Sequence, residues 1–400
     1  GGCILHALPN PDLLYGAVAA LPSLSDEEQA LSSRHYYREL NRFGLTSVID
    51  AGGGGHAFPD DYVGTDALAT SGDLSVRIST YLFPQRKGGE LAEFENWTRD
   101  WQAGVNRAEE LLNGYEIEGA GETLTWSAVD FENFMAERPA LDSRAGWDRE
   151  LLQVTRHLLR NRWPIRIHAT YDESISNILN VFDRAHTLEV SEGREGFGGI
   201  RWAIDHGETI KRGTIARIKA LGGGLAMQAR MAYAGEFFLE RYGEEATRNT
   251  PPLRDVIEAG VPLGLGTDAT RVASYNPWPA LYWATTGKSV GGTQLHGDRH
   301  RLTREEALFH YTVGSAWFSQ EEHLKGRIKP GQFADFALLN APFLEVADED
   351  LKSIEAEVTV LAGKPVHGVG EFAGLVERLP SIQPEWSPVR TYPGFNPVKN

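Results

Sequence analysis

Cysteine is nearly absent from this chain of 400 residues, with Cys3 the only one. No intrachain disulfide can therefore close, and no thiolate zinc cluster can be assembled. This leaves the compartment open, with the cytoplasm favoured. Basic residues are also in deficit, 39 Lys and Arg against 55 Asp and Glu, for a net charge of −16, and no basic stripe interrupts the pattern. Nucleic-acid binding draws on clustered cations to release counterions, so a nucleic-acid partner is not expected. No window approaches the ~18 to 20 uninterrupted apolar residues of a membrane helix. The N-terminus lacks the basic region and apolar core of a signal peptide. A soluble protein with no membrane partner is expected. Its first residues, GGCILHALPNPD, contain no initiator methionine, and we expect a truncated or processed chain.

What is present is ordinary globular material: 41% hydrophobic residues and ten tryptophans, enough for one large α/β barrel or for two to three smaller domains. Short β-rich runs alternate with longer helical stretches, the pattern of a parallel sheet with crossover helices. The candidate strands are TSVIDAG (46–52), LSVRISTYLF (74–83), GETLTW (121–126), WPIRIHAT (163–170), IRWAIDH (200–206), GGLAMQAR (223–230) and PLGLGTD (262–268). A helix is expected over 25–44, where Ser25 and Glu28 have capping-box spacing and Gly44 marks the stop. Others are expected over 146–162, with apolar residues at helical spacing, and over 303–318, opened by Thr303 and Glu306. A (β/α)₈ barrel needs one more strand than these.

Beyond residue 325 the texture changes to short β runs with turn residues and no long helix between them. The expected organisation is a barrel over 1–325, a small β unit over 326–370 and a Pro-rich tail over 371–400. No internal repeat of fixed period is present.

Three candidate strands end on groups suited to a divalent cation: His168 closes PIRIHAT, His206 closes IRWAIDH and Asp268 closes PLGLGTD. Taken singly, each has a bland explanation, a hydrogen-bonded core histidine or a capping aspartate. Taken together they sit where the strand ends of a β/α barrel converge on its active face. His, His and Asp form a donor set suited to zinc, or to manganese, iron or nickel.

The series IRIHAT, IDHGET and GLGTDA, followed by GRIKPGQFADFALLN and VTVLAGKPVHG, resembles the amidohydrolase superfamily of metal-dependent hydrolases. Within it, the chain is similar to the branch of N-substituted formamide deformylases. The likeness runs from about residue 40 to 370, and its most recognisable segment is Gly326 to Asp335. The resemblance implies an α/β fold, a (β/α)₈ TIM-like barrel that here misses its first strand, with a small C-terminal β unit. It implies metal-binding histidines on barrel strands five and six and, on strand eight, an aspartate that also shuttles a proton. With the first strand missing, His168, His206 and Asp268 fall on those strands. The family's His-x-His pair on strand one has no counterpart: the closest histidines, His296 and His300, lie in a polar segment and are expected at the surface. The carbamylated lysine often found on strand four is also lacking. Glu122 lies near its position and is the candidate ligand, with Asp130 and Glu132 as rivals.

Substrate contacts are expected from Gln228 and Arg230 at the end of MQAR, from Arg271 just beyond Asp268, and from Tyr171 just beyond His168. Asp205 is expected to point away from His206 into a salt bridge, Glu208 to start a helix, and His56 to lie near the pocket. The expected activity is hydrolysis of a C–N bond in a small amide, formamide or cyclic amide, with Asp268 as general acid and base and a homo-oligomer possible. Two alternatives are a degenerate barrel without catalysis and a ligand-binding protein using Tyr275, Trp278, Tyr282 and Trp283, residues whose other explanation is core packing.

Overall fold

Seven parallel strands pair side by side in chain order: β1 Ser47–Asp50, β2 Arg77–Leu82, β3 Tyr115–Ala120, β4 Ile165–Ala169, β5 Trp202–His206, β6 Gly224–Gln228 and β7 Leu263–Gly266. The computed structural model describes Gly16 and residues 24–52, 57–104, 114–131, 134–270 and 272–380. Parallel neighbours require long crossovers. Helices supply them, with α1 Asp26–Arg42 preceding β1, then α2 Val63–Ser71, α3 Glu90–Asp100, α4 Trp147–Arg160, α5 Asp172–Ser191, α6 Arg212–Ala220, α7 Arg230–Arg248 and α8 Leu253–Ala259. α9 Pro277–Thr286 and α10 Arg304–Phe309 follow β7. Among the described residues no pairing joins β7 to β1, so the sheet is curled and incompletely closed. A separate antiparallel sheet of β8 Phe336–Leu339, β9 Ala356–Leu361 and β10 Lys364–Gly368 falls within the expected C-terminal β segment.

Local signals explain several elements. The Ser25/Glu28 and Thr303/Glu306 capping boxes both form, satisfying N–H groups that a helix start leaves free. The second helical run covers the expected span, from Arg304 to Ser319, but changes type along the way. After Phe309 it widens into a π-turn, His310–Gly314, which packs closely on β7: Ser315 Oγ donates to the Leu265 carbonyl, and a Cβ at Gly314 would stand 2.3 Å from the Leu263 oxygen. In the tail segment, Gly370–Leu375 forms a 3-10 helix and residues 381–400 lie outside the described residues.

Strand three differs from the sequence expectation. GETLTW is not a strand; YEIEGA just before it is. Its alternation places Glu116 and Glu118 in the interior, where Ser79 Oγ donates to Glu116 and Gln320 to Glu118. Buried acids on a strand defeat a search for alternating apolar residues. The shift has a functional consequence, since Glu122 now lies just past the carboxyl end of β3.

The interior of the curl is layered. Trp317 and Phe318 fill its base, packing where Gly224 and Gly264 carry no Cβ. Above them Arg166 of β4 donates to Asp205 of β5 at 2.6 and 3.0 Å, both side chains buried. Asp205 thus does form the expected salt bridge. Removing one partner of a buried pair strands the other charge, so Asp205→Asn should cost about 3–5 kcal/mol of stability. Urea denaturation measures this, and a loss under ~1 kcal/mol would show that the pair is not holding the strands. Asp335, from the Gly326 to Asp335 segment, is used structurally: it pairs with Arg77 of β2 at 3.0 Å and accepts from Ala362 N, tying the small sheet to the large one.

Two expectations about aromatic and histidine residues are decided by burial. Trp278, Tyr282 and Trp283 lie on α9 and are core residues, as the packing explanation requires, while Tyr275 precedes the helix, half-buried, with its hydroxyl donating to Glu39. His296 and His300 are not surface groups. They are 1% and 2% exposed, and neither ring nitrogen of His296 makes a hydrogen bond. Burial pushes the His296 pKa down to about 3, against a smaller opposing pull from the Thr250 backbone. The unfolded chain takes up that proton near pH 6.5 and the folded chain cannot, so stability should fall as pH drops from about 6.5 toward 3, by up to about 1.4 kcal/mol per pH unit. His296→Leu should flatten this acid slope in denaturant midpoints measured from pH 7 to 4. An unchanged slope would assign the acid sensitivity to other groups.

Candidate metal centre

Glu122 reaches the centre because Gly121 precedes it. A Cβ at Gly121 would stand 2.6 Å from the Ala51 oxygen and 2.9 Å from the Tyr81 oxygen, so only glycine lets the chain leave β3 across the ends of β1 and β2. The Glu122 backbone is then held from both sides, its N–H donating to Ala51 O at 2.9 Å and its carbonyl accepting from His168 N at 2.8 Å.

His206 reaches it through a break in the pleat. The register sets His168 beside Asp205 and Ala169 beside His206. In a regular strand the His206 ring would leave on the face opposite His168. Its φ of 79° turns it back, and the two rings meet edge to face with centroids 4.3 Å apart. Left-handed backbone at a non-glycine residue costs of order 1–3 kcal/mol and collects at functional sites. Asp268, two residues past β7, shares this feature with a φ of 59°.

The donor atoms of Glu122, His168 and His206 all lie within 4.8 Å of one another. Glu122 Oε2 is 3.2 Å from His206 Nε2 and 3.6 Å from His168 Nδ1. The Asp268 carboxylate stands 4.0 Å from His206 Nδ1. Behind His168, Asp130 approaches Nε2 to 3.1 Å, close enough for an ion pair although not aligned as a hydrogen bond. Both nitrogens of His168 and Nδ1 of His206 are buried without a hydrogen bond. Orphaned imidazole nitrogens beside a carboxylate fit a divalent cation, which takes two to three such ligands at ~2.0–2.2 Å. The three residues thus form a cluster able to hold one.

The charges are mutually dependent. Burial works against ionised Glu122, but His168 and His206 hold its carboxyl well below the usual range. Burial likewise opposes a charged His168, yet Asp130 and Glu122 raise it to about 9. Asp268 is pushed up to about 6, by burial first and by Glu122, with His206 pulling the other way. A third of its side chain remains in contact with water.

Other expected site residues divide. Gln228, at the end of β6, is nearly buried and its Oε1 has no partner. Arg230 does not continue that strand. It opens α7, buried, donating to Glu208 at 2.9 Å and to Thr170 Oγ1 at 2.9 Å, with its guanidinium over Phe134. It is therefore held as a structural ion pair, and Glu208 is its partner instead of a helix start. Tyr171 precedes α5 and is fully buried, with Arg138 over its ring. Arg271, His56 and Glu132 lie outside the described residues. Asp130, the sequence's rival to Glu122, occupies a different place in the fold, behind His168. Phe131 packs its ring on His168 at 4.3 Å.

The sequence profile of the amidohydrolase family matches residues 5–367. The chain belongs to this family. Among curated proteins, this amidohydrolase is similar to the "Putative amidohydrolase YtcJ" of Bacillus subtilis strain 168, 22% identical over 349 residues, covering 84% of this chain and 62% of that protein. Among solved structures it is similar to an uncharacterized metal-dependent hydrolase from Pyrococcus horikoshii OT3, with a TM-score of 0.62 at 19% identity over 84% of this chain and 64% of that one. The atrazine chlorohydrolase TrzN of Arthrobacter aurescens TC1, complexed with zinc, gives a TM-score of 0.54 at 14% identity, over 89% of this chain and 77% of that one. At these identities the structures establish the fold, that of metal-dependent hydrolases. The chain spans less than two thirds of the length of YtcJ and of the Pyrococcus protein.

Proposed function

We propose that this amidohydrolase cleaves the C–N bond of a small amide, formamide or cyclic amide, as in the N-substituted formamide deformylase branch. The observation that carries the proposal is the Glu122–His168–His206 cluster with Asp268 beside it at the same end of the sheet. His168, His206, Glu122 and Asp268 would hold the cation, zinc by preference, with manganese, iron or nickel as alternatives. When bound, the cation supplies Lewis acidity, polarising a carbonyl and lowering the pKa of water toward about 7.

The remaining steps fall to the chain. Asp268 accepts a proton from the attacking water and returns it to the departing nitrogen, a task that requires a carboxylate within reach of both. Its raised pKa, near the working range, suits an acid that must also release the proton. Gln228 offers Oε1 as an unused acceptor for a substrate N–H. Arg230, tied to Glu208, and the buried Tyr171 would act on the substrate only indirectly, and Arg271 remains a candidate substrate contact. A small-molecule substrate and a cytoplasmic setting are part of this reading, and the deficit of Lys and Arg speaks against a nucleic-acid partner. A panel of N-substituted formamides, cyclic amides and matched esters, offered to the zinc- or manganese-loaded chain, tests the proposal. Turnover confined to the esters, or absent from every amide in the presence of bound metal, would remove it.

A further inference from the structure

We propose that Asp130 is a positioning residue that sets which nitrogen of His168 faces the metal centre; this rests on the metal-binding role proposed above. Asp130 is fully buried. Its carboxylate accepts from Thr170 N at 3.0 Å and Tyr171 N at 3.0 Å, the two residues that follow β4. The acid is therefore anchored to the same segment that carries His168, so the spacing between carboxylate and ring is built into the backbone. On the ring, Oδ1 stands 3.1 Å from Nε2, while Nδ1 looks toward Glu122 Oε2 at 3.6 Å. Phe131, the next residue, packs against the ring and limits its rotation.

An ionised carboxylate can accept but not donate, so Asp130, 3.1 Å from Nε2, electrostatically favours the N–H on that nitrogen. A neutral ring then presents the Nδ1 lone pair to the space shared with Glu122 and His206. Partners of this kind fix the tautomer and orientation of ligating histidines, and their loss lowers metal affinity about 10- to 100-fold. The competing explanation is that Asp130 merely caps the Thr170 and Tyr171 amides.

Asp130→Asn separates the two. Its amide oxygen can still accept from Thr170 and Tyr171, but its NH₂ faces Nε2 and favours a proton on Nδ1, where it blocks a cation. The full chain is titrated with Co²⁺ by chelator competition, with the visible spectrum as a second readout. Expected is a loss of Co²⁺ affinity of about 10- to 100-fold, an altered spectrum, and an unchanged melting temperature of the cobalt-free protein. Affinity within about twofold of wild type would overturn the role of Asp130 and leave the metal centre standing. A wild-type chain that takes up no Co²⁺ would overturn the metal reading and this inference with it. If the Asn variant does not fold, Asp130→Ser, whose hydroxyl can also accept from those amides, is measured with the same outcomes.

Discussion

Asp268→Asn should lower amide turnover by about 10²- to 10⁴-fold, the usual worth of a general acid and base, while leaving the fold intact. Asparagine is nearly isosteric and among the residues that best tolerate left-handed backbone, which matters at a φ of 59°. What it loses is the ability to take and return a proton. The same substitution has a stability signature of opposite sign. In the cation-free fold the Asp268 pKa is raised to about 6, against about 3.8 in the unfolded chain. The ionised form is thus disfavoured on folding, and the cost appears as pH rises from about 3.8 to 6 and is complete above that. Cation-free Asp268→Asn should therefore melt at or above the wild-type temperature at pH 7, with the difference shrinking toward pH 4. Retention of full turnover would displace Asp268 from the chemistry; a lower melting temperature at pH 7 would mean that it is a structural group.

Metal affinity should rise about tenfold per pH unit between pH 6 and about 9, because ligands must shed protons to bind. Glu122 is already ionised throughout this range, held there by its two histidines. His168 is not ready: Asp130 and Glu122 raise it to about 9, so a cation must displace a proton from it. Below about pH 6 Asp268 also begins to protonate, and the dependence should steepen. Zinc titrations against a chelator of known proton affinity at pH 6, 7 and 8 check the slope. A flat profile would mean that His168 does not bind the cation.

The sequence was most legible where chemistry and strand geometry coincide. His168 is the last residue but one of β4, His206 ends β5 and Asp268 follows β7, since short apolar runs closing on a polar group mark the carboxyl ends of parallel strands. It was least legible where burial inverts the usual rule. The sequence pattern shifts β3 past its true place because its interior face carries Glu116 and Glu118, and the polar surroundings of His296 and His300 predict exposure although the fold buries them. The sequence reads Arg230 onto a strand face because nothing local announces its pairing with Glu208, 22 residues earlier. The turn of His206 toward His168 could not be read at all: it depends on one positive φ, which no alternation pattern encodes.

The most direct test of the central claim is elemental analysis of the purified 400-residue chain, reconstituted with zinc and desalted, beside a His168→Ala/His206→Ala double variant. The account predicts about one ion per wild-type chain and almost none in the variant, which keeps only Glu122 of the three-residue cluster. No retained metal in the wild type, or equal metal in both, would contradict it.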